Sequence, residues 1–186
     1  YYKTHPRPLR DYVFGYFHVA ARLLSSVAPL TNLAMQNSLF KGIAAKVLGI
    51  TPQRPFPKFT RERAKVGRIA PAGCFATNPT YAARQKIIYL PDPFSKYVEP
   101  KVEQAAFDIL NSLGFEVILL PVVSAGAALL SKGFLEEARA HAGRVLDALN
   151  KIDPEGSLPI LGIEPPEIYS LKHDYLDLLP GRKDEI

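Results

Sequence analysis

Residues 86–186 alternate short apolar segments with longer amphipathic patterns, and this alternation constrains the fold more than any other feature of the chain. The apolar segments are KIIYLPD, EVILLP and LPILGIE. Each lacks the polar alternation of a half-exposed strand, as expected for strands that are buried in a parallel sheet. Because helical patterns separate the segments, we predict an α/β fold whose βαβαβα module carries three or more parallel strands with covering helices.

Three helical patterns follow these predicted strands. In the first, over 102–113, apolar residues recur at spacings of three and four, and Gly114 then suits a helix C-terminus. The second has an inner apolar face over 134–149. The third begins at Pro165, where a missing N–H is harmless, and extends to about residue 179.

The carboxyl ends of all three strands should lie along one edge of the sheet, because crossovers between parallel strands are right-handed. Ligands of such sheets bind at that edge. The chain places Asp92, the loop 122–132 and residues 164–167 there. We therefore predict a strand-edge pocket that contains Asp92, Ser131, Lys132 and Glu164.

Two kinds of chemistry remain open at this edge. Asp92, Glu164 and Glu167 could hold a hard cation or act in acid–base catalysis, but capping of a helix by Glu164 is an equally simple interpretation. The N–H groups of residues 131–133 could bind an anion, although we favour a plain helix N-cap at that position. His141 and His173 fall on predicted helices, and we expect both at the surface.

The first part of the chain is predicted to be a helical hairpin. Apolar residues recur at helical spacing over 12–27 and over 32–48, and Pro29 separates the two patterns. On the second helix, Leu39, Phe40, Ile43, Val47 and Leu48 form an apolar stripe on one side. We assign residues 1–50 to this hairpin connector.

Residues 51–85 are punctuated by proline and rich in arginine and lysine, so we predict a Pro-rich basic strap between the hairpin and the module at 86–186. Residues 1–72 hold 12 basic against 2 acidic side chains, whereas the remainder holds 11 against 16. Such a basic excess fits nucleic acid, an anionic membrane surface or an acidic partner domain. No RNA-binding signature accompanies it, so we expect no nucleic acid and rank the partner domain first and the membrane second.

The chain contains one cysteine, Cys74, which excludes an intramolecular disulfide and an iron–sulfur or zinc site built from this chain alone. No run of 18 apolar residues marks a membrane span, and the first residues lack the apolar core of a signal peptide. We therefore expect a cytoplasmic protein, peripheral at the inner membrane if the basic region binds lipid. We also expect the chain to be a piece of something longer.

Three stretches together resemble a known family. They are YLPDPFSKYVEP (89–100), SAGAALLSKGFLEEAR (124–139) and GIEPPEIYSLKHDYLDLLP (162–180). They resemble the cysteine-rich CCG module in the C-terminal region of FAD- and iron–sulfur-binding D-lactate/glycolate-type dehydrogenases. HPRPLRDYVFGYF and APLTNLAMQ are similar to the helical connector that precedes this module in the family. The resemblance implies upstream flavin and ferredoxin-like domains as partners, with FAD and [4Fe-4S] clusters bound there.

The departures from the family pattern concern the cluster ligands. Ser124, Ala125 and Gly126 stand where the family has Cys-Cys-Gly, and Glu167 stands where Glu-Pro-Ser-Cys ends in cysteine. Iron–sulfur clusters are held by thiolates, which serine and alanine do not replace. The resemblance therefore implies a degenerate cluster site, no cofactor in this chain and no catalytic residue.

These observations leave three hypotheses. The first is the C-terminal part of a FAD/Fe-S oxidoreductase that oxidises a 2-hydroxy acid, with a structural or docking role for this part. The second is a non-redox interaction module that binds a partner protein or an anionic membrane surface. The third, with the least support, is a hydrolase or anion-binding enzyme that uses the strand-edge pocket.

Overall fold

The structure is a computed structural model and describes residues 4–67 and 85–186. Four short helices occupy the N-terminal part of the chain. They are α1 (Leu9–Gly15), α2 (Phe17–Ser26), α3 (Ala28–Gln36) and α4 (Ser38–Leu48). The two long helices predicted for this region are therefore each divided. Pro29 lies in the first turn of α3, where proline is well tolerated, and α2 ends before it at Ser26.

The break between α3 and α4 has a clear local cause. Asn37 adopts an extended backbone conformation, and its side chain accepts hydrogen bonds from the N–H groups of Leu39 and Phe40. Asparagine at this position caps a new helix, so the chain restarts there. At the other end of α4, Gly49 has a φ of 64°, in the left-handed region that glycine adopts readily.

The apolar stripe of α4 faces solvent. Leu39 is 76% exposed, Ile43 65% and Val47 58%, and the buried residue of this helix is Ala45. The spacing of the stripe was sufficient to predict the helix, but the described part of the chain provides no surface that covers it.

Residues 50–67 cross the helices without forming helix or strand. Asn32 fixes this segment by accepting a hydrogen bond from the Phe59 N–H and donating one to the Phe59 carbonyl. Phe59 itself is buried against Phe17. Cys74 and residues 68–84 of the predicted strap lie outside the described residues.

The module contains a three-stranded parallel sheet in the order β2-β1-β3, which confirms the predicted fold class. Its strands are β1 (Lys86–Tyr89), β2 (Glu116–Leu119) and β3 (Ile160–Leu161). The central residue Ile88 pairs with Ile118 on one side and Ile160 on the other.

Helices cover both faces of this sheet. They are α5 (Pro93–Tyr97), α6 (Pro100–Ser112), α7 (Ala127–Ser131), α8 (Leu135–Ile152), α9 (Pro165–Tyr169) and α10 (Tyr175–Leu178). One π-helical turn, Ser170–Asp174, joins α9 to α10, and a 3-10 helix covers Pro180–Glu185.

Alternate residues of β1 enter two separate cores, because successive side chains of a strand point to opposite faces of the sheet. Ile88 packs in the core with Val145 and Leu146 of α8. Tyr89 packs on the other face, where its ring lies 4.8 Å from that of Phe107 in α6. The sheet thus lies between two layers of helices.

In the described part of the chain, no helix is long and apolar enough to cross a membrane.

Candidate functional site

The loop that follows β2 has an unusual backbone conformation and is attached to the end of β1. Ser124 has a φ of 72° and Gly126 a φ of 93°. For serine this left-handed conformation is disfavoured, so the surrounding contacts must enforce it. One such contact is the hydrogen bond of 2.8 Å from the Ser124 N–H to the Pro91 carbonyl.

Glu167, in the first turn of α9, reaches into this loop. Its carboxylate accepts hydrogen bonds from the Ser124 hydroxyl at 3.0 Å and from the Ala125 N–H at 2.6 Å. The Ser124 hydroxyl oxygen in turn accepts the Gly126 N–H at 2.8 Å. The three positions that the resemblance assigns to cysteine (Ser124, Ala125 and Glu167) therefore meet around one carboxylate.

Two aromatic side chains, one from α8 and one from α10, form hydrogen bonds with carbonyl groups of the same loop. His141 of α8 lies with Nε2 2.9 Å from the Ser124 carbonyl oxygen, and the Tyr175 hydroxyl donates to the Ala125 carbonyl at 2.7 Å. A Cβ on Gly126 would lie 3.2 Å from His141 Cδ2, which leaves little room for a larger residue. We refer to Ser124, Ala125, Glu167, His141 and Tyr175 as the polar cluster.

The surface position expected for His141 is wrong, since only 3% of this residue is exposed. The sequence contained the signal, because His141 is three residues after Ala138 and four before Val145, on the inner stripe of α8. His173 is exposed, as expected. Tyr175 was not singled out from the sequence, although it too is fully buried.

Burial dominates the electrostatics of the polar cluster. It raises the pKa of Glu167, while the hydrogen bonds from Ala125 and Ser124 act in the opposite direction and the charge of Asp92 adds to the rise. Burial also lowers the pKa of His141, because the desolvated imidazolium is disfavoured. Both shifts favour the uncharged side chains. Glu167 can therefore hold a proton, and the polar cluster can accept neutral hydrogen-bond donors.

The polar cluster does not fit an iron–sulfur cluster. Its side chains offer a hydroxyl, a methyl group and a carboxylate at the three positions in question, whereas such clusters are held by thiolates. The carboxylate of Glu167 already accepts hydrogen bonds from the Ser124 hydroxyl and the Ala125 N–H. Among residues 4–67 and 85–186, no three His, Cys, Asp or Glu side chains are grouped so as to hold a metal ion.

A cleft of about 500 Å³ opens beside the polar cluster at the predicted sheet edge. Asp92, Ser131, Glu164 and Glu167 line it, together with the rings of Phe17 and Phe94. Three of the four residues predicted for the strand-edge pocket thus share one cleft. Lys132 does not line this cleft; its ammonium group lies 5.8 Å from the centre of the Phe14 ring.

Each polar residue of the cleft has a local structural role or faces solvent. Asp92, which is 2% exposed, caps α5 by accepting the N–H groups of Phe94 and Ser95. Glu164 is exposed and makes no side-chain cap to α9, and burial and the charge of Asp92 raise its pKa. Binding of a ligand in the cleft stays a prediction.

The N-cap predicted at residues 131–133 is wrong. Ser131 is the last residue of α7, and its hydroxyl donates to the Ala128 carbonyl. The next helix begins at Leu135 with Phe134 at its N-cap and without a side-chain cap. Residues 132–133 form the link between the two helices, and Arg7 donates to both of their carbonyls.

The N-terminal helices contact the polar cluster directly. The His18 ring of α2 lies 4.8 Å from the His141 ring, and His18 Nδ1 is buried without a hydrogen-bond partner in the described structure. Burial, with smaller contributions from His141 and Arg144, lowers the pKa of His18 to about 4. The contact between these two uncharged imidazole rings joins the N-terminal helices to the module.

Fold and site together define a parallel α/β module whose sheet-edge loop is closed by a buried carboxylate and joined to four N-terminal helices.

Proteins named D-2-hydroxyglutarate dehydrogenase are similar to this chain. The protein from Haemophilus influenzae is 23% identical over 188 aligned residues, which cover 100% of this chain and 18% of that protein. The Escherichia coli protein is 24% identical over 178 residues, covering 94% and 17%. The Pantoea ananatis protein is 30% identical over 95 residues, covering 51% and 9%.

The chain thus spans less than a fifth of the length of these curated relatives. No protein-family model matches it. No solved structure matches it either.

Proposed function

We propose that this chain is a non-redox part of a larger 2-hydroxy acid dehydrogenase, derived from a CCG-type module whose cluster site has been replaced by the polar cluster. Its role is structural or docking. The names and lengths of the curated relatives support the 2-hydroxy acid class and the larger protein. Flavin and iron–sulfur chemistry would then belong to other parts of that protein.

One observation carries this proposal. The residues at the positions that the resemblance assigns to cysteine do more than lack sulfur, because the Glu167 carboxylate accepts hydrogen bonds from both Ser124 and Ala125. An eroded site would leave unpaired polar atoms there. Here the hydroxyl, the amide and the carboxylate satisfy one another, so the loop can keep its shape without a metal.

The chain's own residues support a positioning role. Tyr175 and His141 hold the loop carbonyls, and Glu167 holds the loop amide and hydroxyl, so the sheet edge is fixed from both sides. The His18–His141 contact then links this fixed edge to the N-terminal helices. These contacts would hold the helices in a defined position relative to the sheet.

Cluster reconstitution tests the proposal. The purified chain and its Cys74→Ser variant are incubated anaerobically with ferrous iron and sulfide and desalted, and iron and acid-labile sulfide are then measured together with absorbance near 400 nm. We expect less than about 0.1 iron per chain in both proteins, because no set of thiolates exists to hold a cluster. A stoichiometric cluster that survives loss of Cys74 would refute the proposal.

The second hypothesis, an interaction module, is favoured by a different observation. The outward apolar stripe of α4 is a surface for which the described chain provides no cover. This hypothesis is compatible with the first, since a docking part of a dehydrogenase needs a docking face.

A further inference from the structure

Two histidines meet where the N-terminal helices contact the module. We call His18 of α2 and His141 of α8 the histidine pair; their rings lie 4.8 Å apart and are inclined by 60°. His141 is 3% exposed, and His18 Nδ1 is buried without a hydrogen-bond partner in the described part of the chain. A buried nitrogen of this kind is uncommon, since most buried polar atoms form hydrogen bonds.

The partners of His141 fix the position of its proton. Its Nε2 lies 2.9 Å from the Ser124 carbonyl oxygen, which can only accept, so Nε2 carries the proton. Its Nδ1 lies 3.2 Å from a guanidinium nitrogen of Arg144, which can only donate, so Nδ1 carries none. His141 is therefore held as the neutral Nε2–H tautomer, and a second proton on Nδ1 would displace Arg144.

The surroundings of the histidine pair oppose a positive charge on His18. Burial, followed by His141 and Arg144, lowers the pKa of His18 to about 4. Burial is also the largest cause of the lowered pKa of His141, and the Ser124 carbonyl opposes it only in part. Among the described residues, no carboxylate contributes to the pKa shift of either ring. A proton on His18 would therefore face an imidazole and a guanidinium group.

The neighbouring contacts across this interface are mainly aromatic. The rings of Tyr12 and Tyr16 each lie 5.1 Å from that of Phe134, and the Arg7 guanidinium lies over the same ring. Tyrosine and arginine side chains titrate far above pH 7. The carboxylate of Glu137 acts on Tyr16. A fall from pH 7 to pH 5 therefore acts on this interface mainly through the histidine pair.

From this geometry we infer that the histidine pair is an acid-sensitive contact, in which protonation of His18 releases α1 and α2 from the module while the parallel sheet stays folded. Release separates His18 from Arg144 and exposes Nδ1 to water, which hydrates the imidazolium. The released state thus binds the proton more tightly, and its population rises as the pH falls. This inference stands independently of the proposed function, because it does not involve the cluster positions.

Native-state hydrogen exchange tests the inference on the whole chain at pH 7 and pH 5. NMR measures the exchange rate of each amide at several low urea concentrations, and division by the intrinsic rate at the same pH gives its opening constant. At pH 5, the buried amides of α2 should have opening constants at least about tenfold larger than those of β1. Their dependence on urea should also be weaker, because release exposes less surface than complete unfolding.

The pH dependence provides a second readout. The opening constants of α2 should rise about tenfold between pH 7 and pH 5, a value reduced for the partial exposure of the His18 ring. In His18→Phe this rise should be at least about threefold smaller, because one titrating group is gone and His141 remains.

Arg144→Glu places a carboxylate beside the rings, where it compensates an imidazolium, so the rise should again be at least about threefold smaller. Arg144 is exposed, and its replacement therefore leaves the core intact. The matched control is Lys151→Glu, the same charge change at an exposed lysine seven residues further along α8. This control should leave the rise unaltered.

Three results would overturn the inference. The first is that α2 and β1 share one opening constant and one urea dependence at pH 5, since the chain then unfolds as a whole. The second is a rise in His18→Phe as large as that in the unchanged chain. The third is an equal effect of Arg144→Glu and Lys151→Glu, because the opening would then follow net charge and not the histidine pair.

Discussion

The hydroxyl of Ser124 donates to the carboxylate of Glu167 at 3.0 Å, although the two residues are 43 positions apart in the sequence. The contact closes the sheet edge at the place where the family resemblance puts iron–sulfur ligands. A buried carboxylate with two surrounding donors is a costly arrangement unless both partners are present.

Removal of the Glu167 carboxylate should strongly destabilise the protein. In Glu167→Ala, the Ala125 N–H and the Ser124 hydroxyl lose their acceptor in a buried site, and we expect a loss of about 2–4 kcal/mol in the free energy of unfolding. Urea denaturation followed by circular dichroism measures it. Glu164→Ala is the matched control, since Glu164 is exposed at the same helix start, and it should cost less than about 0.5 kcal/mol. Equal effects of the two substitutions would contradict the assignment.

The backbone conformation of Ser124 gives a second prediction. Ser124→Ala removes the hydroxyl but keeps a Cβ at a φ of 72°, whereas Ser124→Gly removes the hydroxyl and relieves the backbone strain. The glycine variant should therefore be more stable than the alanine variant by about 1 kcal/mol, measured by the same denaturation. A more stable alanine variant would mean that the loop does not hold the left-handed conformation.

The contact between the two histidines predicts a dependence of stability on pH. His18 in the folded protein has its pKa lowered to about 4, while an unfolded histidine titrates near 6.5. Between these values the unfolded chain binds more protons, so the free energy of unfolding falls as the pH is lowered from about 6.5 towards 4. Arg144 and His141 face the ring and oppose its protonation.

Replacement of His18 by phenylalanine should remove part of this dependence. We expect the decrease in unfolding free energy between pH 7 and pH 5 to be smaller in His18→Phe by about 1 kcal/mol, a value reduced for the partial exposure of the ring. His141 still titrates in the variant, so a residual decrease remains. The exposed His173, changed in the same way, should leave the decrease unaltered. A decrease of equal size in all three proteins would contradict the buried neutral state of His18.

The exposed apolar stripe of α4 should contribute little to the stability of the chain. Ile43→Ser changes a residue that is 65% exposed and should alter the unfolding free energy by less than about 0.5 kcal/mol. Leu146→Ala, within the core of the module and 1% exposed, should cost about 2–5 kcal/mol. A large loss in Ile43→Ser would mean that α4 is covered by the chain itself.

The sequence predicts helices and strands correctly where the local apolar pattern coincides with a buried face. The apolar segments that became β1 and β2, and the spacing in α6 and α8, each specify one element and one buried face, and the structure has them in the predicted places. Parallel topology alone predicts that Asp92, Ser131 and Glu164 lie at one edge of the sheet, and all three line the same cleft.

Two features of the structure could not be predicted from the local sequence pattern. The stripe of α4 looks the same in sequence as that of α8, because spacing shows that a helix is amphipathic but does not identify its partner. The contact between Ser124 and Glu167 depends on a strained loop and on the rotation of α9, and neither is encoded in nearby residues. His141 is buried because it lies on the inner stripe of α8, where position on the helix decides burial more strongly than residue type.

A double-mutant cycle between Ser124 and Glu167 tests the central claim most directly. The free energies of unfolding of Ser124→Ala, Glu167→Gln, the double variant and the unchanged chain give the coupling between the two side chains. A hydrogen-bonded buried pair predicts a coupling energy of about 1–3 kcal/mol. A coupling close to zero would show that the two side chains do not act together, and would contradict the view that their contact closes this site.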